Sequence, residues 1–232
     1  MDNFSYAELF CFSNFTFLTG ASHPHELAEQ ALELGYSALA ITDACSVAGI
    51  PRAWAALKDS PVKLITGSWF ELDDAPPGAV TPRFILLART RKGYGQLCQL
   101  ITTGRRQAEK GQYRLFFRDI ETHSLDDCVC LWLPPSPTVA DADQALACGE
   151  WLQRLFEPNL WIAAARTLES GEEQQLARAR WLADHLRCPI AATGEVHMHS
   201  RERQPLQDVL TALRNHTNLE NAGHCLFQNG ER

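Results

Sequence analysis

No apolar run in this 232-residue sequence approaches the roughly 20 residues that a helix needs to cross a bilayer. No membrane partner is therefore expected. The opening residues, "MDNFSYAELF", lack the basic stretch and apolar centre of a secretory leader, so a cytoplasmic location is expected. Eight cysteines occur, at 11, 45, 98, 128, 130, 148, 188 and 225, yet no two form a CxxC pair. Neither a zinc ribbon nor a thioredoxin-type site is supported, and thiols in apolar segments are expected to be buried and reduced. Positive charge is not in excess either: 21 Lys and Arg stand against 28 Asp and Glu, a formal charge of −7. That balance argues against a module that reads phosphates with its whole surface, though not against one whose neighbours in a longer chain bind nucleic acid. Repeats and low-complexity tracts are absent.

What is present is a core and an alternation. Hydrophobic residues make up 45% of the chain, enough for one large domain or two small ones. Residues 7–12 read as a strand. "SHPHELAEQALELGY" reads as a helix with Leu27, Ala28, Ala31, Leu32 and Leu34 at helical spacing, Ser22 or His23 as cap, Pro24 in the first turn and Gly35 at the end. Strands follow in "SALAITD", "VKLITGSWFEL", "PRFILLART", "DCVCLWLP", "NLWIAAART" and "CPIAATGEVHMH". Between them lie helices in "VAGIPRAWAALKD", "GYGQLCQLITTGRRQAEKG", "ADADQALACGEWLQRLFE" and "EEQQLARARWLADHL", with "RERQPLQDVLTALRN" last. Alternation of this kind predicts an α/β domain with a mainly parallel sheet, a closed or nearly closed barrel being favoured over an open doubly wound sheet. "DDAPPGAVTP" reads as a surface excursion, and "ENAGHCLFQNGER" as a polar segment cut from a longer protein.

In parallel α/β proteins, functional groups gather at the carboxyl ends of strands. Here those ends are Phe10 to Phe12, Asp43 to Cys45, Trp69, the region of Pro134, and Glu195 to His199. If the last strand continues extended, Glu195, His197 and His199 project to one side, a plausible metal corner. A hydrolytic centre needs at least three protein ligands, so one corner is not a site. The first strand end carries two phenyl rings where a polar group would be expected.

Five stretches carry a family resemblance: "YAELFCFSNFTFLTGAS", "ALAITDACSVAG", "LITGSWFEL", "LLARTRKGYGQLCQLIT" and "PIAATGEVHMHSRERQPLQDVLTALR". Together they resemble the amino-terminal PHP (polymerase and histidinol phosphatase) domain of bacterial C-family DNA polymerases. "GRRQAEKGQYRL" and "LFQNGER" are similar to the error-prone, damage-inducible branch. The resemblance implies a distorted seven-stranded (βα) barrel over residues 1–214, with 215–232 starting a linker toward a polymerase palm absent from this chain. It implies a parent enzyme that copies past damaged DNA in repair and replication, with catalytic Mg²⁺ in that palm and no cofactor in this domain. Implied partners are the palm and thumb of the same chain, DNA through the full-length protein, a sliding clamp and an accessory translesion subunit.

In metal-binding members the first strand ends in His-x-His, positions that here are Phe10 and Phe12. Thr19, Ala44, Trp69 and Arg83 likewise stand where the resemblance implies an acid, a histidine, a glutamate and a histidine. A middle-strand ligand would fall near Pro134. Asp43, Glu195 and His197 remain as a remnant. A phenyl ring has no lone pair for a cation about 2 Å away, whereas its burial stabilises by roughly 1.5–3 kcal/mol. The expectation is a hydrophobic plug without nuclease or phosphatase activity; the alternative is a rewired metallohydrolase using Glu195, His197 and His199, with His23 or His25. A second His-x-His, His23 and His25, reads more simply as an exposed helix start. Arg105, Arg106, Lys110 and Arg114 surround Tyr113 and Phe116, as would suit nucleic acid or an inter-domain contact. The plainer account is a solvated helix end followed by a docking strand.

Overall fold

The computed structural model describes residues 5–168, 171–223 and 225–227. Its elements run β1 (Ala7–Glu8), α1 (Pro24–Glu33), β2 (Ala38–Ile41), α2 (Ile50–Leu57), β3 (Lys63–Glu71) and β4 (Arg83–Ala88). They continue as α3 (Arg91–Arg106), α4 (Phe117–Thr122), β5 (Cys128–Trp132), α5 (Ala142–Phe156) and β6 (Leu160–Ala165). Last come α6 (Glu172–Leu186), β7 (Ile190–Thr193), a 3-10 turn at Arg201–Arg203 and α7 (Gln204–Arg214). The chain divides into two compact units: residues 1–66, 167–169 and 194–232 form the first, residues 67–166 and 170–193 the second. Among the described residues no helix is long and apolar enough to cross a membrane.

In the first unit β1, β2 and the start of β3 pair in parallel, with Ala7 opposite Ala38 and Ala38 opposite Lys63. All four residues of β2, "ALAI", are buried, the pattern of a parallel strand covered on both faces. Leu27, Ala28 and Ala31 of α1 and Ala53 and Leu57 of α2 close on Cys11, Leu39 and Ile41. The start of α1 follows its sequence signals. His23 is the N-cap, Pro24 is the first helical residue, and the Glu26 carboxylate accepts the His23 backbone N–H at 2.8 Å. Gly35, at φ +70°, supplies the left-handed residue that ends the helix.

In the second unit β3 pairs with β4, and β4 with β5, antiparallel; β5, β6 and β7 continue in parallel. The mainly parallel sheet thus contains one reversed strand. The physical reason is the short, helix-free connection 72–82, which can join antiparallel neighbours but is too short for a parallel crossover. Trp132, Trp151, Phe70 and Phe84 are almost wholly buried here, and the Phe84 ring lies 5.9 Å from that of Phe70 and 6.5 Å from that of Phe156. Six cysteines are buried with free thiols, Cys98 is half-buried and Cys225 exposed. Burial pushes the Cys148 thiol up to about 12.

Four expectations need correction. The strand predicted for residues 7–12 pairs regularly only at Ala7–Glu8 and then makes an isolated bridge from Cys11 to Val196. The last strand stops at Thr193, because Glu195 adopts φ +52°, outside the extended region. The long helix α3 ends at Arg106 rather than running to Gly111. The segment expected as a docking strand contains α4, whose first turn is set by Asp119 accepting the Phe116 N–H at 2.9 Å.

Two glycines of α3 make a paired prediction. A Cβ on Gly93 would lie 2.2 Å from the Asp127 carbonyl oxygen, whereas one on Gly95 meets nothing within 4 Å. Gly93→Ala should destabilise the protein by roughly 1–3 kcal/mol despite alanine's better helix propensity. Gly95→Ala should stabilise it by about 0.5–1 kcal/mol. Urea unfolding of the two variants reads both signs.

Candidate functional site

Most of the positions singled out in the sequence lie in the first unit, where the end of β1 meets the segment after β7. Glu8 is 2% exposed and organises this region. Its Oε1 accepts the backbone N–H groups of Phe10 (2.8 Å) and Gly194 (3.0 Å), and its Oε2 accepts the Tyr6 hydroxyl (2.8 Å). The bridge is completed by Phe12 N–H donating to Val196 O and Val196 N–H to Phe10 O, both at 2.9 Å. Gly194 is required by this approach, since a Cβ there would lie 2.4 Å from Glu8 Oε2. Sequence reasoning missed Glu8. The available signal was a carboxylate inside the apolar stretch "AELFCF", two residues after Tyr6.

Beyond the latch the site turns apolar. Phe10 and Phe12 are 2% and 5% exposed, and their rings meet edge to face at 5.0 Å and 72°. The His197 ring lies 5.3 Å from Phe12 and 4.7 Å from Phe227. Neither of its nitrogens has a hydrogen-bond partner, and the nearest carboxylate oxygen, Glu195 Oε1, is 4.0 Å from Nε2. Glu195 and His197 are thus close, but they do not share the extended register that the sequence suggested, because of the left-handed Glu195. His199 is held elsewhere: its Nδ1 lies 2.8 Å from Ser22 Oγ, which also accepts the His199 N–H at 2.9 Å.

Asp43 is wholly buried and spends its carboxylate on the turn after β1. It accepts the Ser13 N–H (2.8 Å), the Ser13 hydroxyl (2.7 Å) and the Thr16 hydroxyl (2.7 Å). The Ala44 N–H then donates to Thr16 Oγ1 at 3.0 Å. Thr19 accepts the Arg214 guanidinium at 3.0 Å. His23 and His25 are exposed and stacked, ring to ring, at 5.4 Å, with Asn14 donating to His23 Nδ1.

The remaining positions belong to the second unit. Trp69 is half-buried in β3 opposite Ile85; Arg83 is exposed at the start of β4 opposite Glu71; Pro134 is buried, its carbonyl accepting Gln175 Nε2 at 2.8 Å. Much of the basic stretch is occupied with folding its own loop. Arg105 donates to Gln112 O (3.2 Å) and stacks over Tyr113, while Arg114 pairs with Asp73 at 3.0 Å and stacks over Phe116. Arg106 and Lys110 are exposed.

A divalent ion needs three or more lone-pair donors about 2 Å away. Among the described residues no group of three His, Cys, Asp or Glu side chains gathers in that way. Phe10 and Phe12 offer none, Asp43 and Glu8 are consumed by hydrogen bonds, and His199 faces Ser22. The residues present do not fit a catalytic metal.

Burial is the largest cause raising the carboxyl pKa of both Glu8 and Asp43 above the usual range, against the lowering by their hydrogen bonds. A carboxyl group with a raised folded-state value binds its proton more tightly when folded. Its stabilisation is complete below the unfolded value, about 4.3 for glutamate, and is lost as pH rises toward the folded value. Glu8→Gln keeps one acceptor for Phe10 and Gly194 and lets the Tyr6 hydroxyl reverse to accept. Chemical unfolding from pH 4 upward should show stability falling in the parent and a shallower fall in Glu8→Gln.

Residues 9–177 match the PHP domain. The chain is 49% identical over 227 residues to an error-prone DNA polymerase of Methylococcus capsulatus, a match covering 98% of this chain and 20% of that protein. It is 46% identical to an error-prone DNA polymerase of Pseudomonas syringae pv. tomato, covering 99% and 21%. The chain therefore spans about a fifth of the length of the curated relatives it matches. Two solved structures share its fold at 13% identity. One, from Bifidobacterium adolescentis and provisionally described as a metal-dependent phosphoesterase, has a TM-score of 0.58 over 83% of this chain and 88% of that one. The other, an amidohydrolase from Chromobacterium violaceum, has a TM-score of 0.56 over 83% and 87%. These likenesses agree with the distorted (βα) barrel type expected from the sequence, and the family match over residues 9–177 shows that the chain belongs to the PHP domain family.

Proposed function

We propose that this chain is the PHP module of an error-prone, translesion DNA polymerase, and that it braces the polymerase core without hydrolysing anything itself. The observation that carries the reading is the aromatic packing of Phe10, Phe12 and His197, at positions where the family resemblance implies ligands. Thr19, Ala44, Trp69 and Arg83 extend the same loss of donor chemistry. Asp43, Glu195 and His197 are then structural remnants. Residues 1–214 form the module and 215–232 begin the link to the palm; of that link, residues 224 and 228–232 lie outside the described residues.

In this reading templated nucleotide transfer, with its Mg²⁺, belongs to the palm, and the full-length protein acts on damaged DNA in the cytoplasm. The palm and thumb are the module's first partners, and a sliding clamp and an accessory translesion subunit bind the larger protein. Arg106 and Lys110 are the basic side chains most open to a DNA or inter-domain contact, Arg105 and Arg114 being engaged locally. One feature favours a second reading, a rewired metallohydrolase: the unpaired nitrogens of His197, beside Glu195. Against it, the third ligand it requires, His199, is bonded to Ser22.

The test is turnover. Purified protein given Zn²⁺ or Mn²⁺ should show no chelator-sensitive phosphodiesterase or 3′-to-5′ exonuclease activity. Such an activity, abolished by His197→Ala, would establish the metallohydrolase instead. The double substitution Phe10→His with Phe12→His should lower stability by several kcal/mol, as loss of two buried rings does, without creating metal affinity. Calorimetric titration of the double variant with Zn²⁺ checks this, and tight binding would contradict the proposal.

A further inference from the structure

Helix α7 carries its polarity the wrong way round. Gln207 and Thr211, one turn apart, are wholly buried together with Ala212. The amide oxygen and nitrogen of Gln207 and the hydroxyl of Thr211 find no hydrogen-bond partner. Leu206, Val209 and Leu213, at spacings of three and four, are instead 41%, 39% and 53% exposed. An amphipathic helix on a finished surface shows the reverse pattern. The bond from Arg214 to Thr19 ties the end of α7 to the turn bearing Phe17 (75%) and Leu18 (39%). Leu18 has φ +57°, a conformation that L-residues rarely adopt, so a strained backbone presents an apolar side chain to water. Single exposed leucines are ordinary; a stripe joined to a neighbouring apolar turn marks a contact surface.

We propose that this face, with Leu206, Val209 and Leu213 as its stripe and Phe17 and Leu18 at its margin, docks the polymerase core of the same polypeptide. The inference rests on the polymerase reading above. Relatives 46–49% identical to this chain carry about four-fifths of their length outside the matched region. A partner tethered in the same chain meets the face at high effective concentration, so a modest apolar stripe suffices. The spacing of the stripe suits another helix or a helical groove. The flanking charges are mixed, with Arg201, Glu202, Arg203, Asp208 and Arg214, and lack the basic excess that draws a helix to an anionic lipid surface.

The experiment is hydroxyl-radical footprinting of the full-length polymerase, with Leu32 and Leu34 of α1 as internal references of the same residue type, 40% and 57% exposed. Leu206 and Leu213 should be oxidised several-fold less than Leu32 and Leu34. Equal oxidation overturns the proposal. So does protection that vanishes on dilution to the monomer, which would assign the face to a second copy. Leu213→Glu in the full-length enzyme should restore oxidation at Leu206 and split one thermal transition into two; a single unshifted transition counts against docking. Primer extension by the same preparation tests the polymerase reading separately, since its absence defeats that reading whatever the footprint shows.

Discussion

Two phenyl rings fill the space at the end of the first strand, and the packing around them depends on both. Phe10 and Phe12 pack edge to face and out of water, and Phe12 packs in turn on the His197 imidazole. Such rings fill space and repel ions; they have no electron pair to offer a cation. Their burial stabilises the fold by roughly 1.5–3 kcal/mol for each side chain. The cost falls on His197, whose buried nitrogens have no hydrogen-bond partner among the described residues, a penalty on the order of 1–3 kcal/mol.

Two buried carboxylates organise the backbone of the first unit. Glu8 ties the backbone of Phe10 to that of Gly194, and Asp43 ties the Ser13–Thr16 turn to the end of β2. Both carboxylates are buried and both are fully used in holding backbone and hydroxyl groups. They keep the strand ends in register.

Much of this was legible in the sequence, and the failures have physical causes. The order of strands and helices follows from hydrophobic period, and the start of α1 from Pro24 and Glu26. The resemblance to PHP domains rested on strand-end motifs and extends over nearly the whole chain. Local pattern could not show that Glu195 turns left-handed, a conformation rare for an L-residue and adjacent here to the tertiary bridge at Val196. Nor could it show Glu8, whose role depends on Gly194, 186 residues away. The inverted burial of α7 was equally hidden, since periodicity reveals that a helix has two faces but not which one faces inward.

The claim that the aromatic end holds no cation is tested most directly by diffraction. In a crystal grown with excess Zn²⁺, an anomalous map recorded at the zinc edge should be featureless beside His197 and Glu195, with the imidazole between the rings of Phe12 and Phe227. A strong peak about 2 Å from His197 Nε2, with the Glu195 carboxylate drawn in to meet it, would contradict the account.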